Sequence, residues 1–300
     1  MQIAVCIPCL NEEATVGKVI DDFRRVLPEA KIYVGDNNSR DRTVEIARSR
    51  GAEVLSCRRR GKGSAVRDLL DRVAADIYIL VDGDDTYRAQ DVSLLLGPVR
   101  EGRADMIIGN RLHSFQSGSF PSLHLAGNKL IRYLTRRLHG VDIPDMLSGY
   151  RVMNRALTEE MSLISGGFEI ETEINIKSVW LGFRIGSINS EYRPRPAGSA
   201  SKLKTFQDGY RILTTILMLL REYQPMTMGG LLFCGLNLIA LVLLLTGGIS
   251  SRLPVFGLGL LASLLGAIAL AVGIVLNALN ISHRESEELI RKLRLKKGGA

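Results

Sequence analysis

Residues 229–249 carry no charged side chain and consist mostly of Leu, Gly, Ile and Val. Residues 253–279 repeat the pattern, with Ser263 and Asn277 as the clear polar interruptions. Each run exceeds the about 20 helical residues that cross a hydrocarbon core of about 30 Å. A helix of a soluble domain is seldom apolar on every face over such a length. The pattern therefore predicts two transmembrane helices, at about 229–249 and 254–277, joined by the tight Gly- and Ser-rich connection 247–252. Such a hairpin places both flanks on one side of the bilayer. Those flanks hold the basic residues (Arg211 and Arg221 before; Arg284, Arg291, Lys292 and Arg294 among those after), whereas the connection holds Arg252 alone. The asymmetry puts the rest of the chain in the cytoplasm, as an integral protein of an inner or plasma membrane.

The remainder is long enough for one sizeable domain. A net charge of +8 raises nucleic acid as a partner, but no nucleic-acid motif or interleaved aromatic–basic surface accompanies it. Basic residues beside the spans suit anionic lipid headgroups instead. The four cysteines of a cytoplasmic protein should be reduced thiols. Cys6-x-x-Cys9 has a redox or half-zinc spacing, yet it has no second pair and lies across the end of a strand, so no redox or metal role is expected of it.

Residues 1–110 alternate short apolar runs with helical periodicity. Strands are expected at 3–7, 32–34, 53–56, 77–81 and 105–108, and helices at 14–26, 43–50, 64–74 and 91–100. This alternation predicts an α/β fold, Rossmann-like, with a mostly parallel sheet covered by helices. Beyond it come helices at 126–138 and 169–181 and a strand at 184–192. Within 204–222 apolar residues recur at helical spacing, which predicts an interfacial amphipathic helix before the first span. The expected organisation is a cytoplasmic domain over 1–203, a juxtamembrane helix over 204–226, the hairpin over 227–280 and a basic tail over 281–300, its segment 286–297 lying as an amphipathic helix on the membrane surface. The small residues Gly257, Gly259, Gly266 and Gly273 would permit close packing and a homo-oligomer.

Chemistry gathers in the loops that follow the strands, the edge where open α/β sheets bind ligands. The run Ile77-Tyr78-Ile79-Leu80-Val81 stops in Asp82-Gly83-Asp84-Asp85. Carboxylates this close repel unless a cation or several donors compensate. Their hard oxygens favour Mg²⁺ or Mn²⁺, which usually brings a phosphate with it. Asp36, after the second strand, can accept from a base N–H. Gly61-Lys62-Gly63 lets backbone and ammonium approach a phosphate, although the first glycine of a Walker A loop is missing. Glu169 and Glu173 share a helical face, and a structural role is expected for them, with acceptor-side contacts as the alternative.

The ordered series Pro8-x-x-Asn11-Glu12-Glu13, Asp36-Asn37-Asn38-Ser39-x-Asp41-x-Thr43, Gly61-Lys62-Gly63 and Asp82-x-Asp84 resembles the family 2 glycosyltransferases of GT-A fold. Gly109-Asn110-Arg111, Asp145-x-x-Ser148-Gly149-Tyr150-Arg151, Glu191-Tyr192-x-x-Arg195 and Gly198-x-x-Ser201-Lys202-Leu203 extend the likeness to the branch that glycosylates polyisoprenyl phosphates. The resemblance covers about residues 3–210. It implies a metal-dependent, inverting transfer from a nucleotide-diphosphate sugar to a polyprenyl phosphate. It also implies that Pro8, Leu10, Asn11, Glu12 and Asp36 hold the nucleotide, with Lys62, Asp82, Gly83 and Asp84 at its diphosphate. Asp82 and Asp84 would ligate Mg²⁺ or Mn²⁺, and Arg111, Arg195, Ser201 and Lys202 would meet the acceptor phosphate. Asp84, Arg111 and Asp145 form the expected catalytic set, Asp145 either as an assisting carboxylate or in a structural role, orienting Arg151 or capping a helix.

In the branch a Leu-Gln pair often follows the acidic motif; here Asp85-Thr86-Tyr87 follows. A third metal ligand would then fall on Thr86, and the donor preference is expected in these three residues, with a UDP-sugar favoured over GDP-mannose. A polysaccharide synthase of the same superfamily would carry Gln-x-x-Arg-Trp before its spans, and the single tryptophan, Trp180, stands in no such element. A catalytically silent, membrane-tethered nucleotide-sugar binder is the alternative of another class.

Overall fold

The structure, a computed structural model, describes residues 1–113, 122–196, 202, 205–249 and 253–298. It divides into two compact units, Met1–Ile216 and Leu217–Ala300. In the first unit β1 (Ile3–Cys9), α1 (Val16–Val26), β2 (Lys31–Asp36), α2 (Thr43–Ser49), β3 (Glu53–Ser56), α3 (Lys62–Arg72) and β4 (Ile77–Leu80) follow in strict alternation. Then come α4 (Val92–Arg100), β5 (Met106–Asn110), α5 (Ser122–His139), β6 (Arg151–Asn154), α6 (Arg155–Glu160), α7 (Ile170–Trp180) and β7 (Ile185–Asn189). The amphipathic α8 (Thr205–Tyr223) follows.

All seven strands join one sheet in the order β3-β2-β1-β4-β6-β5-β7. Every neighbouring pair is parallel except those of β6, which runs antiparallel to both β4 and β5. The remaining strands therefore share one direction, and their carboxyl ends lie along one edge. The alternating side chains Ile3, Val5 and Ile7 of β1 join Phe23 of α1 and Leu95 of α4 in the main core. The opposite face is covered by α3, whose Leu69 packs so close to β2 that a Cβ on Gly35 would lie 2.8 Å from it.

Strand β6 was not anticipated from the sequence. Its first residue, Arg151, carries a charge and is fully buried in the middle of the sheet. The charge is tolerated because the guanidinium donates to Ser148 O (3.0 Å), Asn175 Oδ1 (2.8 Å) and Glu171 O (3.0 Å). A buried charge that is fully hydrogen-bonded evades a reading by hydrophobic pattern.

In the second unit α9 (Pro225–Ile249) and α10 (Leu253–Gly298) form an antiparallel hairpin. Their segments Pro225–Gly247 and Leu253–His283 are long and apolar enough to cross a membrane, and only 11% and 17% of their most apolar windows are buried. That exposure is opposite to what the core helix of a soluble domain shows. Close approach is made by glycines: a Cβ on Gly273 would stand 2.7 Å from Pro225 O, and one on Gly259 2.8 Å from the Leu244 side chain. Three of the four glycines considered for self-association, Gly259, Gly266 and Gly273, thus face α9 of the same chain. Ser263 donates to Asn237 Oδ1 across the hairpin at 2.8 Å. The basic segment 286–297 is not a separate surface helix but the unbroken continuation of α10.

Trp180, the single tryptophan, lies on α7 and so reports on the first unit alone. Ile79, fully buried at the centre of β4, should cost about 2–5 kcal/mol when replaced by Ala. Denaturant unfolding of the detergent-solubilised chain, followed by Trp180 fluorescence, checks this. The exposed Leu94→Ala should stay within about 0.5 kcal/mol of the parent in the same assay.

Candidate active site

The loops after β1 and β2 are stitched to each other before any ligand is considered. Asn37 N–H donates to Cys9 O at 2.8 Å, Glu12 N–H to Thr43 Oγ1 at 2.8 Å and Arg40 N–H to Asn11 Oδ1 at 2.8 Å. Asn11 sits at φ 51°, a left-handed conformation that asparagine tolerates. Its side chain is thereby a loop brace. Pro8 and Leu10 are partly exposed on this edge. Asp36 closes β2 and accepts from Ser39 N–H at 3.1 Å. Burial pushes the neighbouring Cys6 thiol up to about 12 and raises Cys9 well above its ordinary value, which disfavours the thiolate at both.

Lys62 opens α3, immediately after Gly61 at φ 119°. Only glycine fits there, because a Cβ would run into the carbonyl of Gly166 on the segment before α7. The close seam brings the Lys62 ammonium to 2.6 Å from Asp82 Oδ1 and 2.6 Å from Glu171 Oε1. Burial alone would lower its pKa, but the two carboxylates raise it above the ordinary lysine value, so it stays charged. Asp82 itself presses on Gly149, where a Cβ would collide with its carboxylate.

Asp84 is 3% exposed. Its Oδ1 accepts from the Thr86 hydroxyl at 2.6 Å, and its Oδ2 pairs with Arg195 Nη2 at 2.6 Å. Thr86 is fully buried, with its hydroxyl committed to Asp84. In this arrangement Thr86 orients Asp84. Tyr87 is buried as well. Its hydroxyl accepts from Gly149 N–H at 2.7 Å, and its ring packs on Tyr150 and Tyr192. Thr86 and Tyr87 therefore shape the loop from within, which leaves Asp85, at φ 57° and paired with Lys18 at 2.7 Å, as the outermost of the three.

The segment after β7 is laced to this loop. Tyr87 and Tyr192 form an antiparallel bridge, and Arg193 N–H donates to Thr86 O at 2.8 Å. Arg195 reaches Asp84 from here, and Lys202 pairs with Glu12 while also donating to Asn11 O at 3.0 Å. Burial raises the Glu12 pKa, with Lys202 opposing the rise. Ser201 lies outside the described residues.

Arg111 follows β5 and meets Asp145 in a bidentate pair, Nε–Oδ2 2.7 Å and Nη2–Oδ1 2.9 Å. Asp145 is fully buried; burial would raise its pKa, but the Arg111 guanidinium more than offsets this and holds it below the ordinary carboxylate range. With both oxygens engaged, it is a poor proton acceptor and an orienter of Arg111. The Arg151 guanidinium, its other expected partner, is held by Ser148, Asn175 and Glu171 instead.

Helical spacing singles out Glu169 and Glu173, yet it is Glu171 that reaches the site, through Lys62. Glu173 is structural: it accepts from Ile164 and Ser165 N–H and pairs with Lys177 at 2.9 Å. The available signal for Glu171 was that a helix with acidic residues at 169, 171 and 173 cannot keep all of them on one face.

Among the described residues no three His, Cys, Asp or Glu side chains converge as a metal cage. Asp82 and Asp84 nevertheless each present a carboxylate oxygen already bearing a cationic group at 2.6 Å. Mg²⁺-type ions are commonly held by one or two carboxylates plus substrate phosphates, and this donor set fits that arrangement.

The glycosyl transferase family 2 model matches residues 4–162. The glycosyltransferase AglJ of Haloferax volcanii is 38% identical over 209 residues, covering 69% of this chain and 68% of that one. A dolichyl-phosphate hexose transferase of the same organism is 29% identical over 220 residues, covering 73% and 94%. Glucosyl-3-phosphoglycerate synthase from Mycobacterium tuberculosis, crystallised with Mn²⁺, UDP and glucosyl-3-phosphoglycerate, superposes with a TM-score of 0.59 at 24% identity, covering 73% of this chain and 79% of that one. That likeness shows a GT-A-like fold. With a mostly parallel sheet whose strand-end loops gather paired carboxylates and cations, the chain belongs to glycosyl transferase family 2.

Proposed function

We propose that the protein transfers a sugar from a nucleotide-diphosphate sugar to a polyprenyl phosphate at the cytoplasmic membrane face, with inversion at the anomeric carbon. The observation that carries this reading is the convergence of Asp82 and Asp84 with Lys62 and Arg195 along one sheet edge. Carboxylates suit a divalent ion, and cations suit phosphate oxygens. The two apolar helices support a lipid acceptor and membrane insertion. Likeness to a dolichyl-phosphate hexose transferase supports the polyisoprenyl-phosphate branch. Asp82 and Asp84 would hold a divalent ion, which would supply charge stabilisation for the departing diphosphate. Arg111, aimed by Asp145, adds a fixed cation that needs no reorganisation during the reaction. A phosphomonoester with a second pKa near about 6 is largely dianionic at neutral pH, so the acceptor needs no strong base. The engaged Asp145 agrees with that.

A panel of UDP-glucose, UDP-N-acetylglucosamine and GDP-mannose against undecaprenyl and dolichyl phosphate tests the reading. Nucleoside diphosphate should be released only when polyprenyl phosphate is added; no release with any donor would favour a silent binder. Asp84→Ala should lower turnover at least about a hundredfold while the protein stays folded and membrane-bound, and retained activity would sink the metal assignment.

Loss of residues after Gln224 should impair lipid acceptor use more than nucleotide binding; equal loss of both would show that the hairpin does more than anchor. Asp145→Asn should destabilise the first unit by about 3–5 kcal/mol near neutral pH, because it strands a buried Arg111. Since Asp145 titrates below its unfolded value in the folded chain, the pair stabilises above that value and is lost as pH falls through the folded one. The gap between parent and variant should thus close as pH drops below about 3.9, read from melting midpoints across a pH series.

A further inference from the structure

Two of the chain's own cations stand on the two carboxylates assigned to the metal. Lys62 Nζ lies 2.6 Å from Asp82 Oδ1, and Arg195 Nη2 lies 2.6 Å from Asp84 Oδ2. These are contact ion pairs, so a divalent ion that takes either oxygen meets a cation already on it, and the repulsion between them favours moving that cation aside. The pairs differ in how they can yield. Lys62 touches a second carboxylate, Glu171 Oε1, also at 2.6 Å, and its ammonium lies 5.5 Å from the centre of the Phe168 ring. If Asp82 is taken, Lys62 keeps a partner and stays at the site. Arg195 is tethered through its neighbours, since Tyr192 bridges Tyr87 and Arg193 binds Thr86. Releasing Asp84 therefore need not carry Arg195 away from the acidic loop.

We propose that Lys62 and Arg195 are exchangeable stand-ins for the divalent ion, which make the site select a metal–nucleoside diphosphate complex over the free metal. This rests on the donor-site reading above. Free metal must take Asp82 from Lys62 and Asp84 from Arg195, and it brings neither cation a new anion. Metal arriving with a diphosphate gives both displaced cations new anionic oxygens to bind. Metal and nucleotide then bind with positive coupling, and linkage requires each to tighten the other by the same factor. Glu171 is a positioning residue in this scheme, the second anchor that keeps Lys62 in place.

The sign of one mutational effect separates this from a merely structural role. If Lys62 and Arg195 compete with the metal, removing either should tighten binding of the metal alone and weaken binding of the nucleotide. If they only hold the loops together, removing them should weaken both. Mn²⁺ binding to the full-length protein in detergent, followed by loss of the free-ion paramagnetic resonance signal, measures this without turnover. For the parent, saturating UDP or GDP should tighten Mn²⁺ by about tenfold or more, within the usual span of coupling. Arg195→Gln and Lys62→Gln should each tighten Mn²⁺ alone by at least about fivefold and shrink the coupling, whereas Arg195→Lys should stay close to the parent.

Trp180 fluorescence melting confirms that each variant is folded, and the two Gln variants serve as independent tests should one of them not fold. Unchanged or weaker Mn²⁺ binding in the folded variants overturns the proposal and leaves the donor reading standing, provided Asp84→Asn abolishes Mn²⁺–nucleotide binding. No Mn²⁺ binding by the parent even with UDP or GDP overturns the donor reading and the proposal together.

Discussion

An ammonium between two carboxylates organises this candidate active site. Lys62 begins α3, Asp82 follows the central strand β4 and Glu171 belongs to α7, so one charge joins the end of the sheet to two helices. Without it, Asp82 and the buried Glu171 would face each other uncompensated, a costly arrangement in a low-dielectric interior. The glycine at 61 exists to allow this contact, since only a residue without a Cβ lets α3 start flush against the Gly166 carbonyl. Fold and site depend on the same seam.

A second organising element is aromatic. Phe23, Tyr150, Tyr87 and Tyr192 contact in series, with centroids 6.2, 5.3 and 5.4 Å apart. The series runs from the core under α1 to the acidic loop, and the Arg111 guanidinium lies 5.4 Å from the last ring. Such edge-to-face contacts add about 0.5–1.5 kcal/mol per pair beyond burial. They also hold the Asp84 loop and the Arg195 segment as one body, so the two are positioned relative to each other before substrate arrives.

Much of this was legible in the sequence. Alternating apolar runs and helical periodicity identify the parallel core, because buried parallel strands such as Ile77-Tyr78-Ile79-Leu80 need no polar face. The strand-end loops could be found because catalytic residues in such sheets collect on one edge. Three things stayed hidden, each for a physical reason. Strand β6 begins with an arginine whose burial is made possible by partners 20 and 24 residues away and by one in the preceding turn. Glu171 acquires its role from Lys62, 109 positions earlier. Thr86 occupies the place of an expected ligand, yet its hydroxyl turns inward to Asp84, a choice of rotamer that spacing does not encode. The small residues of the hairpin were visible, but a pattern alone does not tell a helix's own partner from a second copy.

The unbroken course of α10 sets a distance. Its 46 residues make a rod about 69 Å long at 1.5 Å per residue, more than twice a hydrocarbon core of about 30 Å. On the proposed membrane placement, the helix emerges as a stiff mast, and its basic final turns are carried away from the lipid headgroups instead of lying flat among them.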